Sequence, residues 1–201
     1  SLISPILTLN KGWDQYLPQL KTYSIINDAS VKSFTEELDT TLFELSHVLP
    51  IGSSADQTSS LSQLYQSNTM NNVVNIFNNW KSLSLFDTFT RISCCYPDSF
   101  HSWENEYFLI YIHSLYSKFK LYSFNSKIKD VSAVNRQTKQ LRTEFIEFVN
   151  DYHLAYVSYK FLPNLLYDRF NQGLEIEKEL ERMEVKIDRI HEAVEEKKSN
   201  Q

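Results

Sequence analysis

The stretch LRTEFIEFVNDYHLAYVSYKFLPNLLYDRFNQGLEIEKELERMEVKIDRIHEAV, residues 141–194, holds the longest regular apolar pattern of the chain. Leu141, Phe145, Phe148, Tyr152, Tyr156 and Tyr159 recur at three- and four-residue steps. Beyond Pro163 a second pattern runs Ile176, Leu180, Met183, Ile187, Ile190, Val194. Such spacing places apolar side chains on one face of a helix, so two long helices are expected. Written as heptads, Leu180, Ile187 and Val194 take a positions and Ile176, Met183 and Ile190 take d positions. The e positions then carry Glu177, Glu184 and His191, and the g positions Glu179, Lys186 and Ala193. In a parallel two-stranded coiled coil, Glu179 of one copy would face Glu184 of the other, and that like-charge pairing disfavours the assembly. The stripe packs either on the chain's own core or in a wider ring of like helices.

Upstream, Tyr107, Phe108, Tyr111, Ile112, Leu115, Phe119 and Tyr122 fall on one broad helical face within Trp103–Phe124, as in a helix buried on most sides. Asn125–Gln140 is polar, with a cap for the next helix available at Asp130 or Ser132. Leu83–Tyr96 reads as a strand closed by Pro97-Asp98, with Leu83 and Leu85 on one face and Phe86, Thr88 and Thr90 on the other. Ser53–Asn79, dense in Ser, Asn and Gln, reads as a surface loop with one short helix, at Leu61–Tyr65 or Val73–Trp80. Val31, Phe34, Leu38, Leu42, Leu45 and Val48 mark a helix capped at Asp28 or Ser30 and ended by Pro50 and Gly52. Ile3–Leu9 and Leu20–Ile26 suit two short strands. The expected fold is α/β, of αβα type over residues 1–130, followed by a long helical hairpin or stalk over residues 131–201, and helix-dominated overall.

Chemistry-bearing motifs are scarce. The three glycines, Gly12, Gly52 and Gly173, leave no GxGxxG or Walker loop. His47, His101, His113, His153 and His191 form no HExxH or HxH pair, and His113 and His153 read as hydrogen-bonded core or boundary residues. Glu175, Glu177, Glu179, Glu181, Glu184 and Asp188 carry oxygens that suit magnesium or calcium. Lys178, Arg182, Lys186 and Arg189 are interleaved with them at helical spacing, so a solvated face is expected. Cys94 and Cys95 are adjacent, and a reduced pair used for packing is expected rather than a disulfide or a nucleophile. No catalytic, cofactor-binding or metal-ligating set emerges, and an enzyme is not expected. A formal net charge of −5 gives no field that favours nucleic acid. Twelve tyrosines, 13 phenylalanines and three tryptophans within a 42% hydrophobic composition supply a core. No apolar run reaches transmembrane length, and the opening residues lack a basic region followed by an apolar run and a small-residue cleavage site. The charged helical pattern at Glu195–Lys198 suggests a fragment cut from a longer chain.

Three segments carry a resemblance: Glu106-Tyr107-Phe108-Leu109-Ile110-Tyr111-Ile112-His113-Ser114-Leu115-Tyr116, then Arg142–Asn150, then Asn164-Leu165-Leu166-Tyr167-Asp168-Arg169-Phe170 with the heptads. Over residues 100–196 the chain resembles the cytoplasmic part of CorA-like divalent-cation (magnesium) channels, and Trp80–Ile92 is similar to the last strands of that family's N-terminal domain. The resemblance implies a regulatory domain at the cytoplasmic face of the cell membrane, in a homopentameric ion channel or transporter. The heptad helix would be the stalk that couples the domain to the pore. It also implies two membrane helices beyond Gln201 and a regulatory divalent cation such as magnesium. The family's Gly-Met-Asn selectivity motif is absent from these residues. The alternative is a cytoplasmic helical protein–protein interaction module without a membrane part.

Overall fold

In the computed structural model the described residues are 21–34, 36–52, 69–70, 72–94, 100–130 and 135–199. They run β1 (Thr22–Asp28), α1 (Glu36–Ser46), β2 (Trp80–Ser84), β3 (Thr88–Cys94), α2 (His101–Glu104), α3 (Glu106–Asp130), α4 (Asn135–Tyr152), α5 (Phe161–Gly173) and α6 (Ile176–Ser199). The expected strand at Ile3–Leu9, the helix at Leu61–Tyr65, the cap at Ser132 and Cys95 lie outside the described residues. The fold is a helix-dominated α/β architecture around a small mixed sheet.

The sheet has the order β1-β3-β2. β1 is parallel to β3, with Tyr23 opposite Phe89 and Ile25 opposite Arg91, and β2 is antiparallel to it, with Leu83 opposite Thr90. Alternation along the strands sorts side chains to two faces. On one face Leu83, Ile92 and Cys94 pack with Leu38 and Leu42 of α1. On the other, Trp80 and Phe89 pack with Trp103, Tyr111 of α3, and Leu166 and Phe170 of α5. Helices therefore cover both faces, the αβα arrangement expected. Beyond the sheet, α3 continues into a helical core with α4 and α6, where Leu121, Phe124, Phe145, Phe148, Leu180, Met183 and Ile187 are buried together. These cores join residues on both sides of position 130.

Several expected boundaries move. Leu83–Tyr96 is not one strand: Leu85-Phe86-Asp87 turns the chain between β2 and β3, closed by a 2.8 Å hydrogen bond from Leu85 N to Thr88 O. Val73–Trp80 is not helical, since Val74 pairs with Ser82 and Trp80 opens β2. Asp28 caps a turn, accepting from Ser30 N at 3.0 Å, and α1 starts only at Glu36. α3 runs unbroken through the polar residues to Asp130, so Asp130 ends a helix and does not cap the next one. The Leu141 pattern ends at Tyr152, which leaves Tyr156 and Tyr159 outside any helix. Pro163 does not separate two helices. It is the third residue of α5, within the first turn, where a missing N–H costs no intrahelical bond. The break falls instead at Leu174-Glu175, with Glu175 at φ 55°.

Candidate functional site

The connection from α4 to α5, residues 153–160, is built by one side chain. Asn164, in the first turn of α5, accepts hydrogen bonds from Val157 N at 2.9 Å and Ser158 N at 3.1 Å. Its amide donates to Lys160 O at 3.0 Å and to Ser158 O. The Tyr167 hydroxyl accepts from Leu154 N at 3.3 Å, and Ser158 Oγ accepts from Lys160 N at 3.1 Å. These bonds satisfy backbone groups that no helix or sheet takes up.

This ordered loop displays apolar side chains to solvent. Tyr159 is 100% exposed, Phe161 69% and Tyr156 61%, with the Tyr156 and Tyr159 rings 6.1 Å apart. Two contacts bring the connection and the end of α4 to α3: Lys160 Nζ lies 3.8 Å from Glu106 Oε1, and His113 Nε2 lies 3.0 Å from the Tyr152 carbonyl oxygen. Between Glu106 and His113 on the same helical face stands Leu109, 66% exposed, with Ile112 exposed beside it. At this end α3 is open to solvent at Phe108, Leu109 and Ile112, whereas residues 113–126 are buried or half-buried, in line with the broad burial its aromatic content had suggested.

A groove of about 530 Å³ adjoins the loop, lined by His153, Leu154, Tyr167, Asn171 and the charged residues Asp168, Glu175, Glu177 and Lys178. Glu175 pairs with Lys178 at 2.9 Å, and His153 Nε2 lies 3.7 Å from Glu177. Hydrogen bonding by Lys178 holds the Glu175 carboxyl below the usual carboxylate range. The groove wall therefore stays acidic, beside an apolar and aromatic rim.

The chemistry-bearing residues of the sequence are dispersed. His47 Nδ1 lies 2.8 Å from Phe43 O, His101 opens α2, and His113 stacks near Tyr152 and Tyr167. Cys94 is buried in the apolar layer under α1. Of the acidic series on α6, Glu179 pairs with Arg182 at 3.3 Å and Asp188 with Arg142 at 3.3 Å. Among the described residues no cluster of three or more His, Cys, Asp or Glu could hold a metal ion, and no helix is long and apolar enough to cross a membrane. The heptad residues Ile176, Leu180, Met183, Ile187 and Val194 are buried by the chain itself. The aromatic loop went unrecognised in the sequence, because its tyrosines continue the helical spacing of α4 into a segment that is not helical. No family model, curated protein or solved structure matches the chain.

Proposed function

We propose that the chain is a helical protein–protein interaction module whose α4–α5 loop and adjoining groove take a partner segment carrying apolar and basic side chains. The observation that carries this reading is the loop itself: Asn164 fixes its backbone while Tyr156, Tyr159 and Phe161 stand in solvent. Exposed apolar groups held in one conformation lose little freedom on binding, and aromatic residues dominate interface energetics. The partner's charge follows from the groove, where Asp168, Glu175 and Glu177 outnumber Lys178.

Selection from a displayed random-peptide library tests the proposal. Peptides that pair aromatic or aliphatic residues with Lys or Arg should be enriched. Their binding should fall roughly ten- to hundredfold in Tyr159→Ser and in Glu177→Lys. Enrichment of acidic peptides, or binding indifferent to both substitutions, overturns it. So does attachment of the same loop to anionic lipid vesicles without peptide selection, or a self-association that Tyr159→Ser abolishes.

A second reading, a regulatory domain of a CorA-like homo-oligomeric channel for divalent cations, is supported by the resemblance and by the unbroken length of α6, 24 residues or roughly 36 Å. It requires a magnesium-dependent change in assembly. Sedimentation that is identical with and without magnesium, on a chain extended through any downstream apolar helices, would sink it.

A further inference from the structure

We propose that the partner segment is a basic amphipathic α-helix, seated lengthwise in a groove between α4 and α6 that continues from the aromatic loop. The proposal rests on the interaction reading and adds the partner's own fold and charge pattern.

The two helices run antiparallel, with Lys139 near Glu195 at 3.8 Å, Arg142 near Asp188 at 3.3 Å and His153 near Glu177 at 3.7 Å. Between them opens a groove of about 230 Å³, lined by the buried Phe145 and Leu180 and the half-buried Val149. Ile146, on the α4 side, is 47% exposed. His153 and Glu177 line both this groove and the one beside the aromatic loop, so the two form a continuous track.

The α6 side of the track carries Glu177, Glu181 and Glu184, exposed and spaced at i, i+4 and i+7 on one helical face. Elsewhere on α6, Glu179, Asp188 and Glu195 meet Arg182, Arg142 and Lys139. Among the described residues neither Glu181 nor Glu184 has an ion-pair partner, Glu177 pairs only with His153, and no Lys or Arg lines the groove. A row of uncompensated carboxylates beside an apolar strip fits a partner that brings cations and apolar groups together. Exposed ion pairs contribute little each, so apolar contact at Ile146 and Val149 supplies affinity while the carboxylates set orientation and choice of partner. The same carboxylates repel an anionic lipid surface.

The spacing favours a helix over an extended segment. Three- and four-residue steps set the carboxylates about 4.5 and 6 Å apart along the α6 axis, and a helix lying alongside presents Lys or Arg at the same steps. Side chains on one side of a strand recur about every 6.7 Å and fall out of register across the row.

The test uses the 201-residue chain and two synthetic peptides of about 15 residues, roughly four helical turns. Both hold the same numbers of Leu and Lys. One spaces Leu at three and four residues, and the other alternates Leu with Lys. Affinity is read by fluorescence anisotropy and the contact surface by amide NMR shifts. The helix-period peptide should bind roughly tenfold more tightly than the alternating one, gain helical circular dichroism, and move the signals of Ile146, Asn150, Glu181 and Glu184. Glu181→Lys combined with Glu184→Lys should weaken it roughly ten- to hundredfold, and Ile146→Ser roughly tenfold. All three side chains are exposed, so both variants keep the core. Equal or tighter binding of the alternating peptide, or full affinity in both variants, overturns the proposal. So does self-association of the chain, or its attachment to phosphatidylserine vesicles, if Ile146→Ser abolishes it. Peptide binding that Tyr159→Ser weakens and the double variant does not overturns the helix alone and leaves the interaction reading standing. Binding that the double variant weakens and Tyr159→Ser does not supports the groove and takes the loop out of the interface.

Discussion

Val48 and Glu175 are the non-glycine residues with positive φ among those described, at 58° and 55°, and both line the cleft beneath the β2–β3 turn. A β-branched residue in this region is an outlier, because its Cβ crowds the backbone. Val48 is 71% exposed and contributes little packing in return. Val48→Gly should therefore raise unfolding stability by about 1 kcal/mol, measured in urea. Lys118 gives a second outcome at this scale. Its folded pKa is lowered, so between that value and the ordinary 10.5 the unfolded chain binds more protons, and stability rises with pH. Glu179 and Glu175 face it and moderate the shift, while Lys21 and Lys178 enlarge it. Tyr23 and Tyr111 are raised above 10.0 by burial and act in the opposite sense once the unfolded tyrosines ionise. The comparison is therefore made below pH 10, where Lys118→Met should flatten the rise expected of the native chain.

Where α5 meets the sheet there is no room for a methyl group: a Cβ on Gly173 would come within 2.9 Å of the Ser84 carbonyl carbon and oxygen. Gly173→Ala should cost about 1–3 kcal/mol in chemical unfolding, because backbone and not a flexible side chain must yield. The α4–α5 connection depends on Asn164 in a different way. Asn164→Ala should cost about 1–3 kcal/mol and speed hydrogen exchange at Val157 and Ser158, whose amides it holds. These dependencies explain what the sequence could and could not disclose. The stripes on α4 and α6 were legible from spacing, because each buries a continuous face, whereas the aromatic face of α3 includes the exposed Phe108 and Ile112, and its buried positions include Ser114, Ser117 and Lys118, which apolar spacing does not mark. The end of α4 was not, because Tyr156 and Tyr159 keep the period while a residue beyond Pro163 captures the backbone. The β2–β3 hairpin was missed for a similar reason: Leu85 and Phe86 look like strand residues, and only pairing with β3 shows the turn. Neither the loop nor the cleft has a sequence signature. The loop is defined by exposure, and the cleft beneath the β2–β3 turn by residues drawn from the end of α1, the turn and the α5–α6 joint.

The molecule joins a sheet covered on both faces to a bundle of α3, α4 and α6, and α3 is the member common to both. Because the α6 stripe is buried within the chain, Ile187→Ala should cost about 2–4 kcal/mol, and the loss should be the same at every protein concentration. A stripe buried between copies would instead give a midpoint that climbs with concentration. The α5–α6 joint carries one more consequence at this scale. Gln172 and Glu175 line both the groove beside the aromatic loop and the cleft beneath the β2–β3 turn. An occupant that shifts either side chain alters the free energy of the other site. Thermodynamic reciprocity then requires each occupant to change the other's affinity by the same factor, so a segment bound at the groove is coupled through these two side chains to any occupant of the cleft.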